Sequence, residues 1–263
     1  MKLRTPKKKS PLVRGPLPNP GDSVGRMLED TFDRYVLPYL LLPSLFILFA
    51  VWHWLAYFGL LAGSPWVSTI MALIAVIFSV VQLFRLRRTL RAMKQGQQGE
   101  IAVGQFLDSL KAKGYKVIHD IPCGNFNIDH VVLGTRGFYA IETKTLSKPA
   151  IGSPTITPTE NGLVIDGGPA STDYPEQAIR QARWLQEKLI EITGKKWPIK
   201  PVLLFPGWFV EPVRTKRYSD VWTLEPKAFT KFLANEQERI SDSDVQLASS
   251  HLSRNVRYES SFG

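Results

Sequence analysis

Two stretches of this chain are apolar without interruption, whereas the remainder alternates between apolar and polar positions. Residues 38–61 and 65–84 contain no Asp, Glu, Lys or Arg. At a helical rise of ~1.5 Å per residue the two runs reach roughly 36 and 30 Å, each enough to cross a hydrocarbon core of ~30 Å. Residues 37–86 therefore read as a two-helix transmembrane hairpin. A pair of buried helices in a soluble core is the alternative, and the length of the runs favours the bilayer. The connection Ala62-Gly63-Ser64 is short, so the helices are expected to run antiparallel with both outer ends on one side. His53, inside the first run, reads as a tolerated interior or interface residue.

Past the second run the periodicity changes. Gly96-Gln97-Gln98-Gly99 predicts a break, and residues 100–113 then form an amphipathic helix with Ile101, Phe106, Leu107 and Leu110 inward and Gly114 at its end. Strand-like runs follow at 115–121, 126–133 and 138–143. The polar stretch 146–174 carries Asn161-Gly162, which favours a hairpin turn. Pro175 stands in the first turn of a helix to about residue 192, where its missing N–H is harmless. A strand at 199–205, a shorter one at 221–224 and helices beyond Pro226 complete the pattern. This order predicts an α/β or α+β domain over residues 97–263, with a mixed central sheet flanked by helices. Residues 1–36, rich in Lys and Pro, read as a disordered cytoplasmic arm.

Charge changes the picture through its location. The net charge is +10, but residues 1–96 hold 13 Lys and Arg against 4 Asp and Glu, whereas residues 97–263 hold 20 against 19. The excess flanks the apolar runs, with Lys7, Lys8, Lys9, Arg14, Arg26 and Arg34 before them and Arg85, Arg87, Arg88, Arg91 and Lys94 after. Such residues mark the cytoplasmic side and attract anionic headgroups. The expected location is the inner (cytoplasmic) membrane, multi-pass, with the lipid bilayer as one partner and the C-terminal domain in the cytoplasm. The high pI is then no signal for nucleic acid. A lone Cys123 excludes an intramolecular disulfide and fits a reducing compartment. A transporter is disfavoured, since His53 is the one ionisable side chain of the spans.

The chemistry concentrates between Asn127 and Lys144. If 126–133 and 138–143 pair as a hairpin around Gly134-Thr135-Arg136-Gly137 with Leu133 facing Phe138, counting back sets Asp129 opposite Glu142. Side chains on a strand alternate with period two, so Lys144 shares the face of Glu142. Two like charges ~4.5–5.5 Å apart destabilise a sheet unless something compensates. A hard divalent cation, Mg²⁺ or Mn²⁺, would do so and would activate a water toward a phosphodiester, with Lys144 beside it. The plain alternative is a solvated cluster with Lys144 in a surface ion pair. His119 and His130 read as structural.

The runs GEIAVGQFLDSL, YKVIHDIPCGNFNIDHVVLGTRGFYAIETKT and YPEQAIRQARWLQEKL resemble the nuclease-related domain family, a branch of the PD-(D/E)xK restriction-endonuclease-like superfamily. The resemblance covers residues 97–205, leaving 206–263 as an extension, and its most specific block runs from Ile128 to Lys144. It implies a restriction-endonuclease-like fold and a Mg²⁺- or Mn²⁺-dependent phosphodiester hydrolase acting on nucleic acid, DNA rather than RNA. In that pattern Asp129 and Glu142 would be metal ligands, Lys144 the catalytic lysine, and Glu100 an additional acid on the first helix. Gln177 would match the glutamine that opens the helix after the core. Ile128 stands where the superfamily has proline. Glu100 is equally accounted for by its helix-start position, and Gln177 by a solvated helix face. Two functions stay open: a membrane-anchored nuclease, or an inactive nuclease-fold scaffold that recruits a partner to the membrane.

Overall fold

A computed structural model describes residues 17–58, 64–148, 155–213 and 216–259. The tail through residue 16 and the Ala62-Gly63 part of the connection between the apolar runs lie outside the described residues. The chain forms two compact units, one of residues 1–22 with 98–263 and one of residues 23–97. The sequence divides instead at 36, 86 and 97, and the difference lies in the segment before the first apolar run.

In the unit of residues 23–97, a helix stands where a disordered arm is expected. Helix α1, Asp22–Thr31, continues through a π-helical turn, Phe32–Val36, into α2, Leu37–Phe58. The physical reason is composition. The prolines and the lysine cluster that predict disorder end at Pro20, and from Asp22 to Leu37 no proline interrupts the helix. Helix α3 spans Trp66–Asp108. Within this unit α2 and α3 pair antiparallel: Trp54 Nε1 donates to Thr69 Oγ1 at 3.0 Å, Trp54 meets Trp66 edge to face at 5.5 Å, and Tyr39 meets Phe78 at 6.0 Å. Both helices are long and apolar enough to cross a membrane. Their large side chains face outward, with Leu55 67% and Phe84 65% exposed.

The expected break at Gly96–Gly99 does not occur, since α3 runs through it as one helix. An internal glycine costs a helix about 1 kcal/mol, a local preference that packing overrides. Here the packing is specific: a Cβ on Gly99 would collide with the Thr145 side chain, next to Lys144. Gly99→Ala is therefore expected to lose about 1–3 kcal/mol of stability to overpacking despite alanine's better helix propensity. Thermal unfolding of the full chain in detergent checks this; the loss should be recovered when Thr145→Gly is added.

The other unit is built on a five-stranded sheet. A 3₁₀ turn, Ser109–Lys113, leads into β1 (Lys116–Pro122), β2 (Asn127–Gly134) and β3 (Gly137–Thr143). Then come β4 (Thr155–Thr159), β5 (Gly162–Ile165), β6 (Ala170–Ser171), α4 (Asp173–Thr193), β7 (Ile199–Leu204), β8 (Phe209–Val210) and β9 (Trp222–Leu224). Helices α5 (Pro226–Asn235) and α6 (Asp242–Glu259) follow. The main sheet has the order β1-β2-β3-β7-β9, antiparallel across β1, β2 and β3 and parallel across β3, β7 and β9. A smaller sheet, β6-β5-β4-β8, holds the Asn161-Gly162 hairpin, in which Thr159 pairs with Gly162.

Helices cover both faces of the main sheet, which is why its strands read as nearly continuous apolar runs. On one face Val131, Leu133, Phe138 and Ala140 pack with Leu185 and Leu189 of α4 and Val245 and Leu252 of α6. On the other, Val132, Tyr139, Ile141 and Val202 pack with Val103 and Leu107 of α3 and Phe229 and Leu233 of α5. The chain before α1 also belongs here. Leu17 packs against the first of these clusters, and the Gly21 N–H donates to Glu100 Oε1 at 2.9 Å. The result is a mixed α+β domain preceded in sequence by two long apolar helices.

Candidate active site

The β2–β3 hairpin has the register counted from the sequence, Leu133 facing Phe138 and His130 facing Ile141, which puts Asp129 opposite Glu142. Asp129 is half-buried, and its Oδ2 accepts from the Thr143 N–H at 2.7 Å. Glu142 is 5% exposed at the end of a strand that is otherwise core. A carboxylate in that position needs partners, and it has three. Lys144 Nζ donates to Oε1 at 2.6 Å, Gln177 Nε2 to the same oxygen at 2.8 Å, and Gln181 Nε2 to Oε2 at 2.5 Å. Lys144 also donates to Gln177 Oε1 at 2.9 Å and lies 5.3 Å from the centre of the Tyr174 ring. The structure thus brings Asp129, Glu142, Lys144 and Gln177 together, all on the sheet face covered by α4.

Helix α4 positions this network. Tyr174, Gln177 and Gln181 lie three and four residues apart, so they share one stripe of the helix. Gln181 was not anticipated. It is 1% exposed, donates also to the Asn127 carbonyl at 3.0 Å, and its Oε1 finds no partner among the described residues. The i, i+4 spacing from Gln177 was the available signal.

Burial and mutual repulsion act on the acids. Desolvation, then the charge of Glu142 and that of Glu100, hold the Asp129 carboxyl well above the ordinary carboxylate range. Glu100, on α3 and 5% exposed, is pushed up to about 7, chiefly by burial, partly offset by the Gly21 N–H and reinforced by Asp120, Glu142 and Asp22. Asp120 was also missed. The β1–β2 register pairs His119 with His130 and Ile121 with Ile128, so Asp120 is the β1 position across from Asp129. It leaves the ladder with φ 49°, is 2% exposed, and accepts from Asn127 Nδ2 at 3.0 Å. Asp120, Asp129 and Glu142 therefore occupy one row across three strands.

The two histidines bond to each other on the opposite side of the sheet from Asp129. His119 Nδ1 and His130 Nδ1 are 2.9 Å apart, and His119 Nε2 lies 3.0 Å from Asp108 Oδ1. Burial pushes the His130 imidazole down to about 3, so it is neutral at physiological pH.

Among the described residues no group of three or more His, Cys, Asp or Glu side chains stands at metal-holding spacing. The donor chemistry nevertheless suits a hard divalent cation of the kind held by one or two carboxylates, with water and phosphate completing the shell. Among the described residues Asp129 Oδ1 accepts no hydrogen bond, and a cation would offset both the burial and the neighbouring charges that raise its pKa.

These features define a mixed-sheet domain with opposed carboxylates and a lysine at the end of its central hairpin. Residues 95–206 match the family model described as nuclease-related domain, or NERD. No curated protein and no solved structure matches the chain.

Proposed function

We propose that the chain is a membrane-anchored, divalent-metal-dependent nuclease that hydrolyses phosphodiester bonds, in DNA rather than RNA. The observation that carries this reading is Asp129 opposite Glu142 with Lys144 bonded to Glu142, inside a nuclease-related domain. Asp129 and Glu142 would hold Mg²⁺ or Mn²⁺, which when bound supplies positive charge to the phosphate and a more acidic water. Gln177 and Gln181 orient the Glu142 carboxylate, each fixing one of its oxygens. Lys144 brings an ammonium group to the site, where it can offset charge that develops on the phosphate. Glu100 adds an acid that burial pushes up to about 7, suited to proton exchange near neutral pH.

The anchoring follows from α2 and α3, whose apolar side chains face outward, and from the Lys and Arg residues that flank them. With both ends of the hairpin basic, the nuclease-related domain stands in the cytoplasm at the inner membrane.

The test is cleavage by the full chain in detergent on linear, circular and single-stranded substrates with Mg²⁺, Mn²⁺ or EDTA. Cutting with either metal and none with EDTA is expected; equal cutting in EDTA would remove the metal from the reading. One observation favours the second reading, a binding module without hydrolysis: both Glu142 oxygens are already occupied by side-chain donors. Mn²⁺ titration separates the two, since a nuclease binds the ion in a manner that Asp129→Asn weakens, whereas the scaffold does not bind it.

A further inference from the structure

Beside the carboxylates, α4 and the β1–β2 connection form a groove of about 490 Å³ lined by Phe126, Gln177, Arg180, Gln181, Arg183 and Trp184. It begins at the two glutamines that hold Glu142 and continues along the helix, so it is continuous with the candidate active site. Arg180 and Arg183 are exposed and form a local pair of cations on a domain that has almost no net charge. The acidic lining residue, Glu187, lies one turn beyond Arg183. Trp184 is half-buried, and Phe126 braces it edge to face at 6.1 Å with an interplanar angle of 78°.

We infer that this groove receives the strand being cut, with phosphates on Arg180 and Arg183 and an unpaired base against Trp184, so that the substrate is single-stranded nucleic acid. The inference rests on the nuclease reading and narrows its substrate. Two exposed guanidiniums neighbouring a partly exposed indole are the combination that tracks a single strand: cations neutralise the backbone and an aromatic face accepts any base. In a duplex the base faces are stacked on one another and cannot reach such a ring. The braced Trp184 loses little freedom on binding, so its contact is not spent on ordering the side chain.

The experiment measures binding of fluorescein-labelled oligothymidylate, oligouridylate and a duplex to the full chain in detergent, by anisotropy in EDTA, so that no cleavage occurs. Wild type is expected to bind the single strands more tightly than the duplex. Trp184→Leu should weaken single-strand binding roughly tenfold. Arg180→Gln with Arg183→Gln, both at exposed positions, should lower the slope of log affinity against log salt by about 1.4, at ~0.7 per phosphate contact. Circular dichroism verifies that the variants fold. No binding by wild type, duplex binding as tight as single-strand binding, or an unchanged salt slope in the arginine variant would overturn the inference. Binding in EDTA without cleavage in any metal would instead sink the nuclease reading and leave the groove standing.

Discussion

Asp129→Asn is expected to reduce metal-dependent cleavage by about 10³-fold or more while leaving the domain folded, and Lys144→Met to do the same. Asparagine keeps an oxygen for the Thr143 N–H, so the hairpin loses no backbone support. What disappears is the negative charge, in a place where burial and two neighbouring acids already disfavour it. Removing it should raise the thermal midpoint slightly even as activity vanishes. Lys144→Met keeps the methylenes and removes the ammonium from Glu142 and Gln177, while Gln177 and Gln181 still hold the carboxylate. Steady-state cleavage on one substrate, with unfolding followed in parallel, measures both. Wild-type rates in the two variants would show that the chemistry is elsewhere.

Glu100→Gln is expected to stabilise the protein by on the order of 3 kcal/mol at pH 8 in EDTA and to have almost no effect near pH 4. The sign follows from the direction of the shift. Glu100 ionises near pH 7 in the folded chain, against an ordinary value of 4.5, so the folded state holds its proton longer. Stability then falls as pH rises from about 4.5 to 7, and the deficit is complete above 7. Glutamine retains an acceptor for the Gly21 N–H and carries no charge to bury. Added Mg²⁺ should narrow the difference at pH 8, because a cation near Glu142 offsets part of the repulsion on Glu100. Unfolding midpoints at the two pH values decide it; a variant less stable than wild type at pH 8 would contradict the burial of a costly charge.

Much of the central sheet was legible because its strands are short, bounded by glycine and proline, and paired through a two-residue turn. Fixing Leu133 against Phe138 was enough to bring Asp129 and Glu142 together. The same counting extended to the preceding strand reaches Asp120, yet its sequence context, between His119 and Ile121, gives no sign of a residue that leaves the ladder at positive φ. Gln181 was hidden for a different reason. A glutamine on a helix is polar by any sequence measure, and only the arrival of Glu142 beneath it makes it a buried donor. The continuity of α3 through Gly96 and Gly99 was likewise illegible, since glycine signals a break locally and the Thr145 contact that favours it here is 46 positions away in sequence.

The contact between Gly21 and Glu100 spans 79 positions in sequence, and both apolar runs, 38–61 and 65–84, lie in that interval. The segment that precedes the hairpin thus has its landing place made only after the hairpin has been synthesised. Protein cut off ahead of residue 98 would lack Leu17 and Gly21, leaving a hydrophobic gap and stripping Glu100 of its amide donor. Completion of the domain of residues 98–263 is in this way tied to synthesis of the whole interval that contains the two apolar runs.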